Sequence, residues 1–167
     1  PLACGEIIRR SWGRAAGVSA EREEPAAEIR QFVGDDAELL EKMVVIPNSF
    51  DPEWKKPCNS HEYVLRRFGV SSEYFLSICS LDKPHKGAKS LIEGFRLFKA
   101  NAGSSASQVK LLIAGQGVSN TAHTEDVVFV AGLSQEDLVN LYSSAQALVV
   151  SSQAEGFCLP ALEAQVF

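Results

Sequence analysis

No apolar run among the 167 residues approaches the roughly twenty needed to cross a bilayer. The opening PLACGEIIRRSWGRAAG also lacks the unbroken apolar stretch of a signal peptide. Basic residues are in deficit, 16 Lys and Arg against 21 Asp and Glu, for a formal charge of −5. That excludes a general nucleic-acid binder, though not a local basic pocket. Histidine is scarce and scattered (His61, His85, His123), and Cys4, Cys58, Cys79 and Cys158 fall in unrelated segments, with no pair at metal-ligand spacing. Neither a metal site nor a disulfide framework is expected. Thiols so placed suit a reducing compartment, which here means the cytoplasm. The single methionine is not the first residue, so the chain is expected to be a fragment or a processed product.

What remains is ordinary globular composition, 46% hydrophobic, in a length sufficient for one domain with a real core. The first 43 residues form a poorly assigned helical or linker segment. Pro25 opens a helix carrying Ala26, Ile29 and Val33 on one face, and Asp35 or Asp36 caps a second with Leu39 and Leu40. Residues 44–167 read as the main domain. Val44 to Ile46 is a short strand before Pro47, and Asp51 to Cys58 is loop. Strands are expected at Phe75 to Cys79, Val109 to Gly115 (ending in a GQG turn), Val127 to Val130 and Ala147 to Val150. Helices are expected at Ser60 to Phe68, at Ala88 to Ala100, after the Ser134 cap, and from Pro160 to Gln165. Asn101 to Ser107, NAGSSAS, reads as a flexible loop.

Strands that are apolar on both faces and alternate with helices imply an α/β, Rossmann-like, doubly wound parallel sheet. Counted from Phe75, the expected strand order is 3-2-1-4, with the Ala147 strand at an edge. Such sheets bind ligands beyond the carboxyl ends of their strands, where the order reverses, so the loops after Cys79, Gly115, Val130 and Val150 carry the candidate site.

The last of these loops reads SSQAEGFCLPALEA, residues 151–164. Gly156 and Pro160 break any continuous helix between Glu155 and Glu163. The expected geometry is strand, turn and helix N-terminus, with the amides of Phe157, Cys158 and Leu159 presented to an anion. Glu163, one turn into the helix, could accept hydrogen bonds from a ribose diol, and Glu155, before the turn, from a sugar. Phosphate on the amides and hydroxyls on the acids suggest a nucleotide sugar. A glutamate in a first helical turn also serves the dipole alone, and Glu155 also reads as a solvated side chain; both readings stand at this point. In SLDKPHKG, residues 80–87, Lys86 precedes a glycine and a helix at the mouth of the sheet, placed to neutralise a diphosphate.

The segments IPNSFDPE (46–53), SLDKPHKG (80–87), LLIAGQG (111–117), FVAGLSQEDLVNLYSSA (129–145) and EGFCLPALEA (155–164) fall in the order and spacing of the retaining glycosyltransferases of family four. The chain resembles their C-terminal, nucleotide-sugar-binding domain, of GT-B type, over about residues 44–165, and the E-x₇-E element from Glu155 to Glu163 is the most specific part. The resemblance implies an enzyme of hexosyl-transferring type in polysaccharide biosynthesis. It moves a sugar from a nucleoside diphosphate sugar to a hydroxyl acceptor with retention, without a metal or other cofactor.

By the same resemblance Glu163 holds the ribose, Glu155 contacts the donor sugar, and Lys86 binds the diphosphate, so Glu155 and Lys86 are the catalytic candidates. The amides of Phe157, Cys158 and Leu159 meet the sugar and diphosphate. Gly132 and Leu133 line the base pocket, with Leu138 nearby. Ser80 stands where the family has an arginine, Ser49 where it has the glycine of P-N-G, and Cys158 where it has the second glycine of E-G-F-G. Family chains continue past this helix with another strand and further helices, whereas this one stops at Phe167, so the domain is expected to be incomplete at its C-terminal end. An N-terminal acceptor domain is expected as the missing partner, and an acceptor at a membrane surface is compatible with the reading. The isolated chain is then inactive. The alternative is a non-catalytic nucleotide-binding or interaction module derived from such an enzyme. A flavodoxin-like regulator would need clustered aspartates after the first strand, where only Asp82 is present.

Overall fold

The computed structural model describes residues 18–20, 23–49, 54, 60–70, 73–116 and 124–167. Several expectations lie outside the described residues: the first seventeen positions with Cys4, Phe50 to Glu53 of IPNSFDPE, all of the Asp51 to Cys58 loop but Trp54, Gly117 of the GQG turn, and His123. The chain divides into two compact units, Pro1–Ser49 and Phe50–Phe167.

In the first unit, β1 (Val18–Ala20) pairs in parallel with β2 (Met43–Val45). Between them lie α1 (Glu23–Val33), which buries Ala26 and Val33, and α2 (Ala37–Glu41). Asp36 caps α2, its side chain accepting from the Leu39 amide at 3.3 Å, and Leu39 is buried. The β2 ladder begins one residue earlier than expected, yet the Ile46 amide still donates to the Ala20 carbonyl at 2.8 Å.

The second unit holds a four-stranded sheet of β3 (Tyr74–Ile78), β4 (Lys110–Ala114), β5 (Val127–Val130) and β6 (Ala147–Leu148). All pairs are parallel, and the order is β5-β4-β3-β6, the expected 3-2-1-4 with β6 at one end. The β6 ladder is shorter than Ala147 to Val150, although the Val149 amide still reaches the Leu76 carbonyl at 2.7 Å. The helices are α3 (Ser60–Phe68), α4 (Ala88–Ala102), α5 (Gln135–Ser144) and α6 (Leu159–Ala164).

Successive strand residues point to opposite faces, and both faces are apolar. Leu76, Leu112, Ala114 and Val130 form one layer with Val64 of α3 and Leu141 of α5. Leu111, Ile113, Val127 and Phe129 form the other with Ala88, Leu91 and Phe95 of α4. Leu111, Leu112 and Ile113 are wholly buried, each such side chain stabilising the fold by roughly 1.5–3 kcal/mol.

At the start of α5 a complete capping box forms: Ser134 accepts from the Asp137 amide, and Asp137 accepts from the Ser134 amide at 2.9 Å. The other oxygen of the buried Asp137 accepts from the Tyr63 hydroxyl at 2.9 Å and from Arg67 Nε at 3.2 Å, tying α3 to α5.

The expected flexible loop from Asn101 to Ser107 is corrected. Helix α4 runs on to Ala102, and a 3₁₀ turn spans Gly103–Ala106, with Ala106 buried. Lys99 clamps it, its ammonium donating to the carbonyls of Ala106 (2.8 Å), Ser107 (2.8 Å) and Val109 (3.1 Å) and pairing with Asp126 at 2.9 Å. Composition suggested mobility because Lys99 supplies the order from outside the segment.

Candidate functional site

From β3 the chain steps outward through β4 and β5, then returns to lay β6 on the opposite side of β3. Open parallel sheets hold their ligands at such a reversal, which here falls between the carboxyl ends of β3 and β6. Two loops flank it, Cys79–Gly87 after β3 and Val149–Cys158 after β6.

They are joined directly. The Gln153 amide donates to the His85 carbonyl at 2.9 Å, and the Ser151 hydroxyl donates to the Lys86 carbonyl at 3.0 Å. Gly87 makes the approach feasible: its φ is +71°, and a Cβ there would lie 2.1 Å from the Ser151 carbonyl oxygen. Next door, a Cβ on Gly115 would lie 2.0 Å from the Cys79 carbonyl oxygen. The Leu81 amide reaches the Gln116 carbonyl at 3.2 Å, fastening the half-buried Ser80 region to the end of β4.

Across this seam Lys86 meets Glu155. The ammonium lies 2.8 Å from each carboxylate oxygen, between residues 69 positions apart, and each side chain is 26% exposed. The Lys86 contact, assisted by the Ser152 hydroxyl, holds the Glu155 carboxyl below its ordinary range, with burial opposing the shift. Two of the three ammonium hydrogens are thereby engaged, so an anion arriving at Lys86 competes with Glu155 for them.

Glu163 lies one turn into α6 and is not part of that pair. Its Oε2 accepts from the Tyr142 hydroxyl at 2.8 Å. Burial, reinforced by the Glu163 acceptor, pushes the Tyr142 hydroxyl far above its usual pKa. The Tyr142 ring stacks on Phe167 at 6.1 Å and meets Trp54 edge-on at 5.7 Å.

Between the two glutamates, Cys158 caps α6 at φ +63°, ψ +62° and is the one non-glycine residue at positive φ among the described residues. Among the described residues, no loop or cap backbone carbonyl accepts a hydrogen bond from the amide of Phe157, Cys158 or Leu159. Leu159 is exposed and Phe157 half-buried. Beyond β5, Gly132 has φ +66°, while Leu133 and Leu138 pack half-buried against the apolar layer that contains Leu141.

The structure thus brings Lys86 and Glu155 into contact and places Ser80 on the same loop as Lys86. Three contributors were absent from the sequence reading. Tyr142 lies on an apolar helical stripe, where a phenol requires a polar partner. Ser151 and Gln153 act through a carbonyl and an amide of the facing loop, which leave no trace in residue type. Among the described residues no three His, Cys, Asp or Glu side chains cluster as metal ligands, and no helix is long and apolar enough to cross a membrane.

Comparison with known proteins yields concordant likenesses. The fold is similar to part of HepE from Anabaena in complex with UDP and glucose, with a TM-score of 0.74 and 20% identity over 99% of this chain and 46% of that one. Sucrose-phosphate synthase from Thermosynechococcus elongatus gives a TM-score of 0.70 and 19% identity over 98% of this chain and 42% of that one. Both likenesses establish the parallel α/β fold of GT-B glycosyltransferases. In sequence the chain is 28% identical over 148 residues to the MMP alpha-(1->4)-mannosyltransferase of Mycolicibacterium hassiacum, covering 83% of this chain and 33% of that protein. The chain therefore spans about a third of the length of that curated relative. The family model for glycosyl transferases group 1 matches residues 69–167, which include both flanking loops and α6, and the chain belongs to that family.

Proposed function

We propose that this chain is the donor-binding part of a glycosyltransferase that moves a hexosyl unit, with retention, from a nucleoside diphosphate sugar to a hydroxyl acceptor. The observation that carries the reading is the Lys86–Glu155 contact at the switch between β3 and β6. It gathers a cation for the diphosphate and a carboxylate for the sugar at the point where this sheet type binds ligands. Family membership supports sugar transfer, and the UDP and glucose held by HepE support a nucleoside diphosphate sugar as the donor class.

In this reading Lys86 leaves Glu155 when the donor arrives and neutralises the leaving diphosphate, and Glu155 turns to the sugar hydroxyls. The amides of Phe157, Cys158 and Leu159 add donors to the developing charge, Ser80 borders the diphosphate, and Glu163 accepts from the ribose. Gly132 and Leu133 border the base, with Leu138 behind them. No metal is required, because a cation and amides take up the leaving-group charge. The acceptor is assigned to a second domain, so the 167 residues by themselves transfer no sugar, and the reaction is assigned to the cytoplasm.

The engagement of Lys86 by Glu155 gives some weight to a second reading, a non-catalytic module whose ion pair is permanent. Calorimetric titration with uridine, guanosine and adenosine diphosphates separates the two. Micromolar binding of one, weakened by Lys86→Met, supports the donor site; binding of none supports the module.

A further inference from the structure

We infer that Tyr142 is a positioning residue for ribose recognition, setting the carboxylate of Glu163 through their 2.8 Å hydrogen bond. The inference rests on the proposed donor site and adds to it a residue whose ring lies in the core. A glutamate near the exposed end of a short helix has three side-chain torsions, and ordering them on binding costs affinity. Here that ordering is done in advance. The Tyr142 hydroxyl has little alternative, since only 6% of the residue is exposed and its ring is fixed by Phe167 and Trp54. A buried phenol on a packed helix is a rigid donor. By occupying Oε2 it fixes the plane of the carboxylate and directs the remaining lone pairs of Oε1 and Oε2 toward a second donor. A vicinal diol, which presents two hydroxyls to one carboxylate, is the ligand chemistry that gains most from a fixed plane. The bond also joins α5 to α6, so the spacing between the Ser134 cap and the Glu163 turn reaches the site through one hydroxyl.

The test uses the 167-residue chain and whichever of uridine, guanosine and adenosine diphosphate binds it most tightly, together with the 2′,3′-dideoxy form of that nucleotide. Tyr142→Phe keeps the ring and its stacking, so the variant folds, and its melting temperature checks this. Glu163→Ala should weaken the ribonucleotide about tenfold or more, as expected for hydrogen bonds lost to a charged acceptor, and Tyr142→Phe about fivefold, as expected when one side chain must be ordered on binding. Neither change should alter dideoxynucleotide affinity by more than about twofold, and Tyr142→Phe should add nothing in the Glu163→Ala background. Unchanged ribonucleotide affinity in Tyr142→Phe beside a loss in Glu163→Ala would overturn the inference and leave the site standing. Equal weakening of both nucleotide forms by Tyr142→Phe would also overturn it, as the mark of a purely structural residue. Indifference of the ribonucleotide to Glu163→Ala, or failure of every nucleotide to bind the parent, would overturn the donor-site reading and the inference with it.

Discussion

Lys86 and Glu155 satisfy each other, and that mutual satisfaction sets what a ligand must overcome. A nucleoside diphosphate without its sugar competes with Glu155 for the ammonium, and it offers that carboxylate nothing in return. Glu155→Gln should therefore tighten the bare diphosphate by about 1 kcal/mol at low ionic strength, a gain that shrinks as salt screens the contact. Isothermal titration at two salt concentrations measures it, and weaker binding in Glu155→Gln would show that the carboxylate assists the diphosphate. Cys158 presents a different case. It stands where related chains have glycine, and the position is left-handed, where a side chain costs roughly 1–2 kcal/mol. Glycine's extra freedom in the unfolded chain returns part of this. Cys158→Gly should raise the melting temperature by about 2–4 °C in a thermal scan.

At the scale of elements, local chemistry made much of the fold legible. The apolar stripes of α3 and α4, the Ser134–Asp137 cap and the unbroken apolar run of Leu111, Leu112 and Ile113 carry their information within a few residues. Illegible were ties made through the backbone or over distance. Lys99 orders Gly103–Ala106 through carbonyls, and the Ser151 and Gln153 bonds depend on where two loops meet. Gly87 stands between these cases, since its place before a helix was visible and its closeness to Ser151 was not. Gly87→Ala adds a Cβ 2.1 Å from a backbone oxygen at a left-handed position. It should destabilise the chain by more than the roughly 1–2 kcal/mol of the left-handed penalty alone, measured by denaturant unfolding. It should also uncouple Lys86 from Glu155, because the seam must open to admit the methyl group.

For the whole molecule, two carboxylates contribute to the acid limb of stability. Burial pushes Asp137 up, but bonds from the Ser134 amide, Tyr63, the Ser134 hydroxyl and Arg67 together hold it below its ordinary 3.8. Glu155 is likewise held below its ordinary 4.5 by Lys86. Both ionise more readily folded than unfolded, so their contribution is complete above those ordinary values and is lost as pH falls through the folded ones. Melting temperature should fall from pH 5 toward pH 3, and the fall should be shallower in Asp137→Asn, which has no proton to take up.

At this scale the strand order was readable because both-face apolar strands admit few topologies, and the order in turn located the reversal. What the sequence could not convey is that the cation and the first glutamate would be found already paired, or that the second glutamate would be held by a core tyrosine. The central claim is that the reversal between β3 and β6 binds a nucleoside diphosphate. The most direct measurement is the change in backbone amide NMR shifts of the chain as the tightest-binding nucleoside diphosphate is added. The account predicts shifts concentrated at residues 80–88, 151–163 and 132–133; shifts confined to the cleft of Glu62, Tyr63, Arg66 and Arg67 on α3, or none at millimolar nucleotide, would contradict it.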